Sequence, residues 1–264
     1  MAERAEDRPD TPPRGEFGDV QDRIRRWWDA DAPTYDRTPN HSAADPVEAA
    51  AWRAALARYL PPPPARVLDA GAGTGAMSLL AADLGHRVTA LDLSPAMLER
   101  ARRKAAERGA EVEFVIGPAS DPPPGPFDAV VERHLLWTTL DPVGTLRAWR
   151  GVVVSGGRLV LFEGIWTPAD PVARLRRRIA HRVGRLLGEG HDHHGEYDRE
   201  MLSSLPLAGQ ASAEPMLRAV EEAGWTGIRL ERLRDVEWAR HSGGGMPVHI
   251  AGPVPQFAVI AVRP

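Results

Sequence analysis

Cysteine is absent from the 264-residue chain, which rules out disulfides, thiol nucleophiles and thiolate metal sites. The formal net charge is only −3, without the basic excess that a nucleic-acid partner calls for. No apolar run approaches the roughly 20 residues needed to span a bilayer, so no stable membrane insertion is expected. The opening segment, "MAERAEDRPDTPPRGEFG", has no apolar centre of the kind that directs secretion. Together these absences make a cytoplasmic protein the expectation. The length suits one sizeable domain with an insertion or a small cap.

Residues 1–18 are charged and Pro-rich and read as a disordered leader. From 19 to 60 the pattern is that of a helical cap segment. Val20, Ile24, Trp27 and Trp28 share one helical face, "DADAPTYD" follows as a turn, and a second helix over 46–59 is stopped by "PPPP".

Residues 61–164 alternate between strands (65–70, 86–93, 111–117, 127–133 and 157–164) and helices (75–84, 95–108 and 142–150). Ser94-Pro95 supplies an N-cap and a first-turn proline to the helix over 95–108. Residues 165–211 break the rhythm and read as an inserted cap. Within them, 171–187 set Val172, Leu175, Ile179, Val183 and Leu186 on one helical face, with Arg174, Arg177, Arg178, Arg182 and Arg185 mostly opposite. Residues 212–264 return to the core, with a helix capped by Ser212 and closed by Gly224, a long strand over 227–238 and a final strand over 256–262. The expected fold class is α/β: a doubly wound, mostly parallel seven-stranded sheet with a helical cap and ligands at the strands' carboxyl ends.

The stretch "RVLDAGAGTGA" (66–76) fits two ligand templates. As G-x-G-x-x-A after a strand, with Asp92 lying 21 residues beyond Gly71, it meets the pattern for a nicotinamide or flavin dinucleotide. Four features favour S-adenosylmethionine instead. Asp69 before the glycines would repel a pyrophosphate but suits an amino group. "LDLSPAML" places Met97 on a capped helix after Asp92, "FDAVV" follows a Pro/Gly turn, and the chain closes in two strands that suit a reversed hairpin.

"VLDAGAGTG", "LDLSPAML", "FDAVVERHLLWTTLDP" and "GGRLVLFEG" occur in the order and spacing of the class I S-adenosylmethionine-dependent methyltransferases. The chain resembles the small-molecule members related to the ubiquinone/menaquinone C-methyltransferases, which implies a Rossmann-like methyltransferase fold. The resemblance implies that Asp69 and Gly71 meet the methionine end, while Gly73 and Gly75 let backbone approach the cofactor. It places Asp92 on the ribose hydroxyls with Leu93 beside it, Met97 on adenine and Tyr35 at the cofactor's border. Where the family has Gly-Asp-Ala after the third strand, this chain has Gly117-Pro118-Ala119. The adenine contact is then lost or passes to Asp121, with the Ala119 backbone N–H still available. Arg133 falls between the sulfonium and the acceptor.

Methyl transfer from a sulfonium needs alignment and exclusion of water, and a base where the acceptor loses a proton. His134 and the run His191, His193, His194 are the candidate bases, with Glu163 and Trp166 lining the same cavity; His134, His193 and Arg133 are the catalytic candidates. No metal site is expected: "HDHH" lacks a second ligand set, and Glu132 alone stands for the carboxylate cluster of metal-dependent relatives. Trp27, Trp28, Trp137 and Trp166 suit a flat acceptor. The expected reaction is S-adenosylmethionine-dependent methylation of a small aromatic or heterocyclic metabolite at N, O or C. A homodimer is compatible with the sequence. An NAD(P)-dependent oxidoreductase and a non-catalytic S-adenosylmethionine-binding module stay open as alternatives.

Overall fold

A computed structural model describes residues 14–37, 41–165, 167, 170–187, 197 and 199–264, with side chains from 18 onward except that of Arg199. The chain begins with two helices, α1 (Arg14–Tyr35) and α2 (Pro46–Tyr59). The alternating core follows as β1 (Arg66–Ala70), α3 (Ala76–Asp83), β2 (Arg87–Asp92), α4 (Pro95–Arg108), β3 (Val112–Ile116), β4 (Phe127–Arg133), α5 (Pro142–Val152) and β5 (Val153–Gly164). Then come α6 (Pro171–Leu186), α7 (Arg199–Ser203), α8 (Glu214–Glu222), β6 (Thr226–Arg232), α9 (Arg234–Ser242), α10 (Met246–Ala251) and β7 (Gln256–Val262).

The seven strands lie in the order β3-β2-β1-β4-β5-β7-β6. β1 to β5 pair in parallel, and β7 runs antiparallel to both β5 and β6. Winding reverses between β1 and β4, which opens a crevice at their carboxyl ends. One apolar cluster, around Trp52, Leu56, Val67 and Phe162, packs the sheet against α2 and α3. A second, around Leu146, Trp149, Leu159 and Val220, covers the other face with α5 and α8.

Local chemistry accounts for the sharpest boundaries. Ser94 caps α4 by accepting the Met97 N–H at 3.1 Å, and Pro95 opens it. Asp45 caps α2 in the same way, through the N–H groups of Val47 and Glu48.

Four expectations are corrected. The helix over the leader boundary begins at Arg14, so 14–18 are helical. "DADAPTYD" is helix as far as Tyr35, with Pro33 inside it. Contacts to the core hold that turn, since Asp29 accepts from Ser94 Oγ at 2.6 Å and Asp36 from Thr74 Oγ1 at 2.7 Å. Ser212 does not cap α8; Ala213 occupies that position with no side-chain hydrogen bond. The long strand over 227–238 is the short β6 followed by α9. Leu233, Val236 and Ala239 recur every third residue, and all three are buried. Glu237 locks the corner, accepting from Arg232 at 2.8 and 3.0 Å and from the Gln256 N–H at 2.9 Å.

α6 turns Ala180 and Gly184 inward, while Val172, Leu175, Ile179 and Leu186 remain exposed. Among the described residues no helix is long and apolar enough to cross a membrane.

Trp149 of α5 is fully buried and its Nε1–H donates to Ala119 O at 2.7 Å, tying the core to the loop after β3. Trp149→Ala is expected to cost about 3–5 kcal/mol of stability in urea unfolding. It should also weaken S-adenosylhomocysteine binding at temperatures where the variant is folded; unchanged affinity would show that the loop needs no such tie.

Candidate active site

A cavity of about 360 Å³ opens at the carboxyl ends of β1, β2 and β4. The β1–α3 turn forms its floor. Gly71 has φ +69°, and an added Cβ would lie 2.7–2.9 Å from the Leu135 side chain, so both the backbone conformation and the packing favour glycine here. Gly73 has φ +54° and faces open space. Asp92, at the end of β2, accepts from Gly73 N at 2.7 Å and Ser94 N at 2.8 Å. Leu93 and Met97 continue that wall, Pro118, Ala119 and Ser120 come from the loop after β3, and Arg133 and His134 from the end of β4. α1 lies across the top with Gln21, Ile24, Trp28 and Tyr35.

Of the residues expected at the cofactor, Tyr35, Gly71, Gly73, Asp92, Leu93, Met97, Ala119 and Arg133 therefore share one cavity. Asp69 and Gly75 do not line it. Asp69 is 1% exposed and accepts a short hydrogen bond from Ser78 Oγ beneath the floor. Gly75 has φ +86°, and its missing Cβ makes room for Ala101 of α4, 3.0 Å away. Asp121 is exposed and lies outside the lining, where Ser120 appears instead.

A second cavity of about 350 Å³ adjoins the first and shares Trp28, Tyr35, Arg133 and His134 with it. Glu163, Trp137, Thr167, Gln210, Met216, Arg240 and Phe257 are among its other lining residues. Part of the 165–211 segment thus borders this cavity, through Thr167, Leu207, Gly209 and Gln210, whereas α6 borders neither. Trp27 packs instead edge-on against Trp28 and Tyr197, at 4.6 and 4.7 Å between ring centres. Trp166, His191, His193 and His194 lie outside the described residues.

The junction of the cavities is built on a tight turn. Glu132, fully buried, accepts the N–H groups of Leu135 at 2.7 Å and Leu136 at 3.4 Å. His134 within that turn has φ +62°, a conformation uncommon outside glycine and typical of functional positions. Its Nδ1 lies 3.4 Å from Glu163 Oε2. The Arg133 guanidinium stacks 5.4 Å from the centre of the Trp52 ring and donates to His41 O. Burial, then the Arg133, Arg240 and His41 charges, hold the His134 imidazole well below the ordinary histidine range. Burial, with Glu132 nearby, holds the Glu163 carboxyl well above its own. Both shifts favour the uncharged form of the side chain.

Arg240, His41, Ser120 and Gln210 escaped the sequence reading. For Arg240 the signal was the three-residue spacing of Leu233, Val236 and Ala239, which places it on a helix returning to the sheet. His41 and Gln210 lie in irregular segments with no periodic signal.

A crevice of this form, at the switch point of a doubly wound sheet and floored by glycines with an acid on the next strand, defines a nucleoside-binding Rossmann-like enzyme. A methyltransferase-domain family model matches residues 68–161. The ubiquinone biosynthesis O-methyltransferase of Xanthomonas campestris pv. campestris is 37% identical over 177 residues, spanning 65% of this chain and 69% of that protein. In fold, the chain is similar to phosphoethanolamine N-methyltransferase 2 of Haemonchus contortus, solved with S-adenosyl-L-methionine (TM-score 0.61, 17% identity, 93% of this chain and 60% of that one). It is likewise similar to a geranyl diphosphate methyltransferase solved with geranyl diphosphate and sinefungin (TM-score 0.58, 18% identity, 93% of this chain and 100% of that one). The chain belongs to the class I S-adenosylmethionine-dependent methyltransferases. Its cofactor is S-adenosylmethionine, and the dinucleotide reading of the glycine loop is not favoured. The first cavity fits that group: open space over Gly73 admits its chain, and Asp92 offers an acceptor for ribose hydroxyls.

Removing the Asp92 carboxylate also frees the N–H groups of Gly73 and Ser94. Asp92→Ala is therefore expected to weaken S-adenosylhomocysteine binding by about tenfold to a hundredfold, read by calorimetry. Asp69 makes a second, pH-dependent prediction. Burial raises its carboxyl to about 7, so its contribution to stability is complete below the unfolded value and is lost as pH rises through about 7. Asp69→Asn should remove that loss and unfold at higher urea than the parent at pH 8. A variant less stable than the parent there would contradict the charge argument.

Proposed function

We propose that the chain transfers the methyl group of S-adenosylmethionine to a hydroxyl oxygen of a small aromatic acceptor, with His134 as the base. The observation that carries this reading is the position of His134, which borders both cavities and is backed by Glu163. The relatives named as O-methyltransferases support oxygen as the receiving atom. Trp28, Trp137 and Phe257 offer apolar walls to a flat ring.

When bound, the cofactor supplies an activated methyl on a sulfonium, so the protein's task is to align the acceptor and keep water away. Arg133, at the boundary of the two cavities, orients the groups that meet there. His134 takes the hydroxyl proton at Nε2 as the acceptor oxygen gains its methyl. For that, Nδ1 keeps its hydrogen and donates toward Glu163 Oε2. Because the imidazole is held uncharged, it is ready to accept a proton throughout the neutral range.

His134→Asn keeps a residue type that tolerates the left-handed backbone and deletes the base. It is expected to lower kcat by about 10²–10⁴-fold with little change in S-adenosylhomocysteine affinity. Rate against pH provides a second check. Base catalysis needs the neutral imidazole, and burial lowers its value, so the acidic limb should fall below the usual histidine range near 6.5. A limb at or above that range which vanishes in His134→Asn would contradict the assignment of its environment, and full turnover by the variant would remove His134 as the base.

A further inference from the structure

One helix takes no part in either cavity and keeps an apolar side in water. α6 is held to the body along one side, where Ala180 and Gly184 are buried, α10 packs against it and Arg176 Nε–H donates to Ile250 O at 2.9 Å. Its outward side is aliphatic. Val172, Leu175, Ile179 and Leu186 are 63%, 56%, 44% and 86% exposed, and Leu187, just past the helix, is exposed as well. Among the described residues, these are five of the eleven large apolar side chains left open to solvent, so the exposure is concentrated on one element. A contiguous apolar patch of this kind marks a docking surface.

Charge says what docks there. At 3.6 residues per turn, Val172, Leu175, Ile179 and Leu186 fall within about 60° of arc, and Arg178, Arg182 and Arg185 occupy the arc beside it. All three arginines are exposed. Between Pro171 and Leu187 there are six arginines and no acidic residue. An apolar stripe beside long cationic side chains is the form of a helix that lies in a lipid interface. The aliphatic residues enter the acyl boundary, and the guanidiniums reach anionic headgroups. A second copy of the chain fits poorly, because pairing the same face sets arginines against arginines.

We propose that α6 attaches the protein to the surface of an anionic phospholipid bilayer. The helix lies parallel to the surface, with Leu175, Ile179 and Leu186 in the interface and Arg178, Arg182 and Arg185 toward the phosphates. The attachment is peripheral and reversible, because a single helix of 16 residues, about 24 Å long, carries the stripe. It rests on α6 alone and is independent of the methyl-transfer reading.

The test is co-sedimentation of the full chain with vesicles of phosphatidylcholine alone and of phosphatidylcholine mixed with phosphatidylglycerol. The mixed vesicles are expected to bind at least about tenfold tighter, and added salt should weaken that binding. The triple variant Arg178→Gln, Arg182→Gln, Arg185→Gln should fall to the level of the neutral vesicles. The double variant Leu175→Ser, Ile179→Ser should lose at least about tenfold on the mixed vesicles with every arginine in place. These positions are exposed, and unchanged S-adenosylhomocysteine affinity in each variant reports an intact fold. Equal binding to both vesicle types, no binding, or binding that survives either variant overturns the proposal. So does a dimer, seen by light scattering, that the double variant dissociates while the parent ignores vesicles, since the stripe would then be covered by a second copy. Retention on immobilised polyglutamate without vesicle binding overturns it in favour of an acidic polypeptide.

Discussion

The Asp92 carboxylate accepts the backbone N–H groups of Gly73 and Ser94, and three chain segments take their places from it. It pins the glycine turn after β1 to the end of β2 and sets the first turn of α4. Ser94, fixed in this way, caps α4 and donates to Asp29, which draws α1 across the cavity. Burial raises the carboxyl to about 6, so holding it ionised depends on those N–H donors, which pull the other way. The crevice, its floor and its roof thus share one anchor.

A second organising feature is the concentration of buried acids under the site. Asp69, Glu132 and Glu163 stand at or near the ends of three neighbouring strands, and burial raises all three carboxyls. Burial thus favours the neutral form of each and weakens the negative field around Arg133. Glu132 also has a structural task, because the two N–H groups it accepts shape the turn that presents His134. Electrostatics and backbone geometry therefore converge on one position between the cavities.

Much of this was legible in the sequence where local chemistry decides structure. The Ser94-Pro95 pair fixes the start of α4, the run of prolines after 60 ends α2, and the glycines mark the turn after β1. Legibility failed where distant contacts override local preference. Asp29 to Tyr35 read as a turn because of Pro33, yet Ser94 and Thr74 hold that stretch against the core as helix. The 227–238 segment read as one strand because its alternation is compatible with either period, and Glu237 decides the break by bridging Arg232 and Gln256. Losing that break hid Arg240. The acidic residue usual after the third strand is replaced here by Pro118, and the neighbouring Ala119 is held from the core by Trp149, a link between α5 and a loop that no local pattern reveals.

The layout of the last quarter of the chain bears on how such an enzyme could diversify. Apart from the α1 roof, the first cavity is built from residues between Gly71 and Thr145, within or close to the matched methyltransferase domain. Much of the wall that belongs to the second cavity alone, including Gln210, Met216, Arg240 and Phe257, lies beyond that domain. The two cavities are thus written largely in different stretches of sequence. Changes around α8, α9 and the start of β7 can reshape the second cavity while the first stays under its own selection.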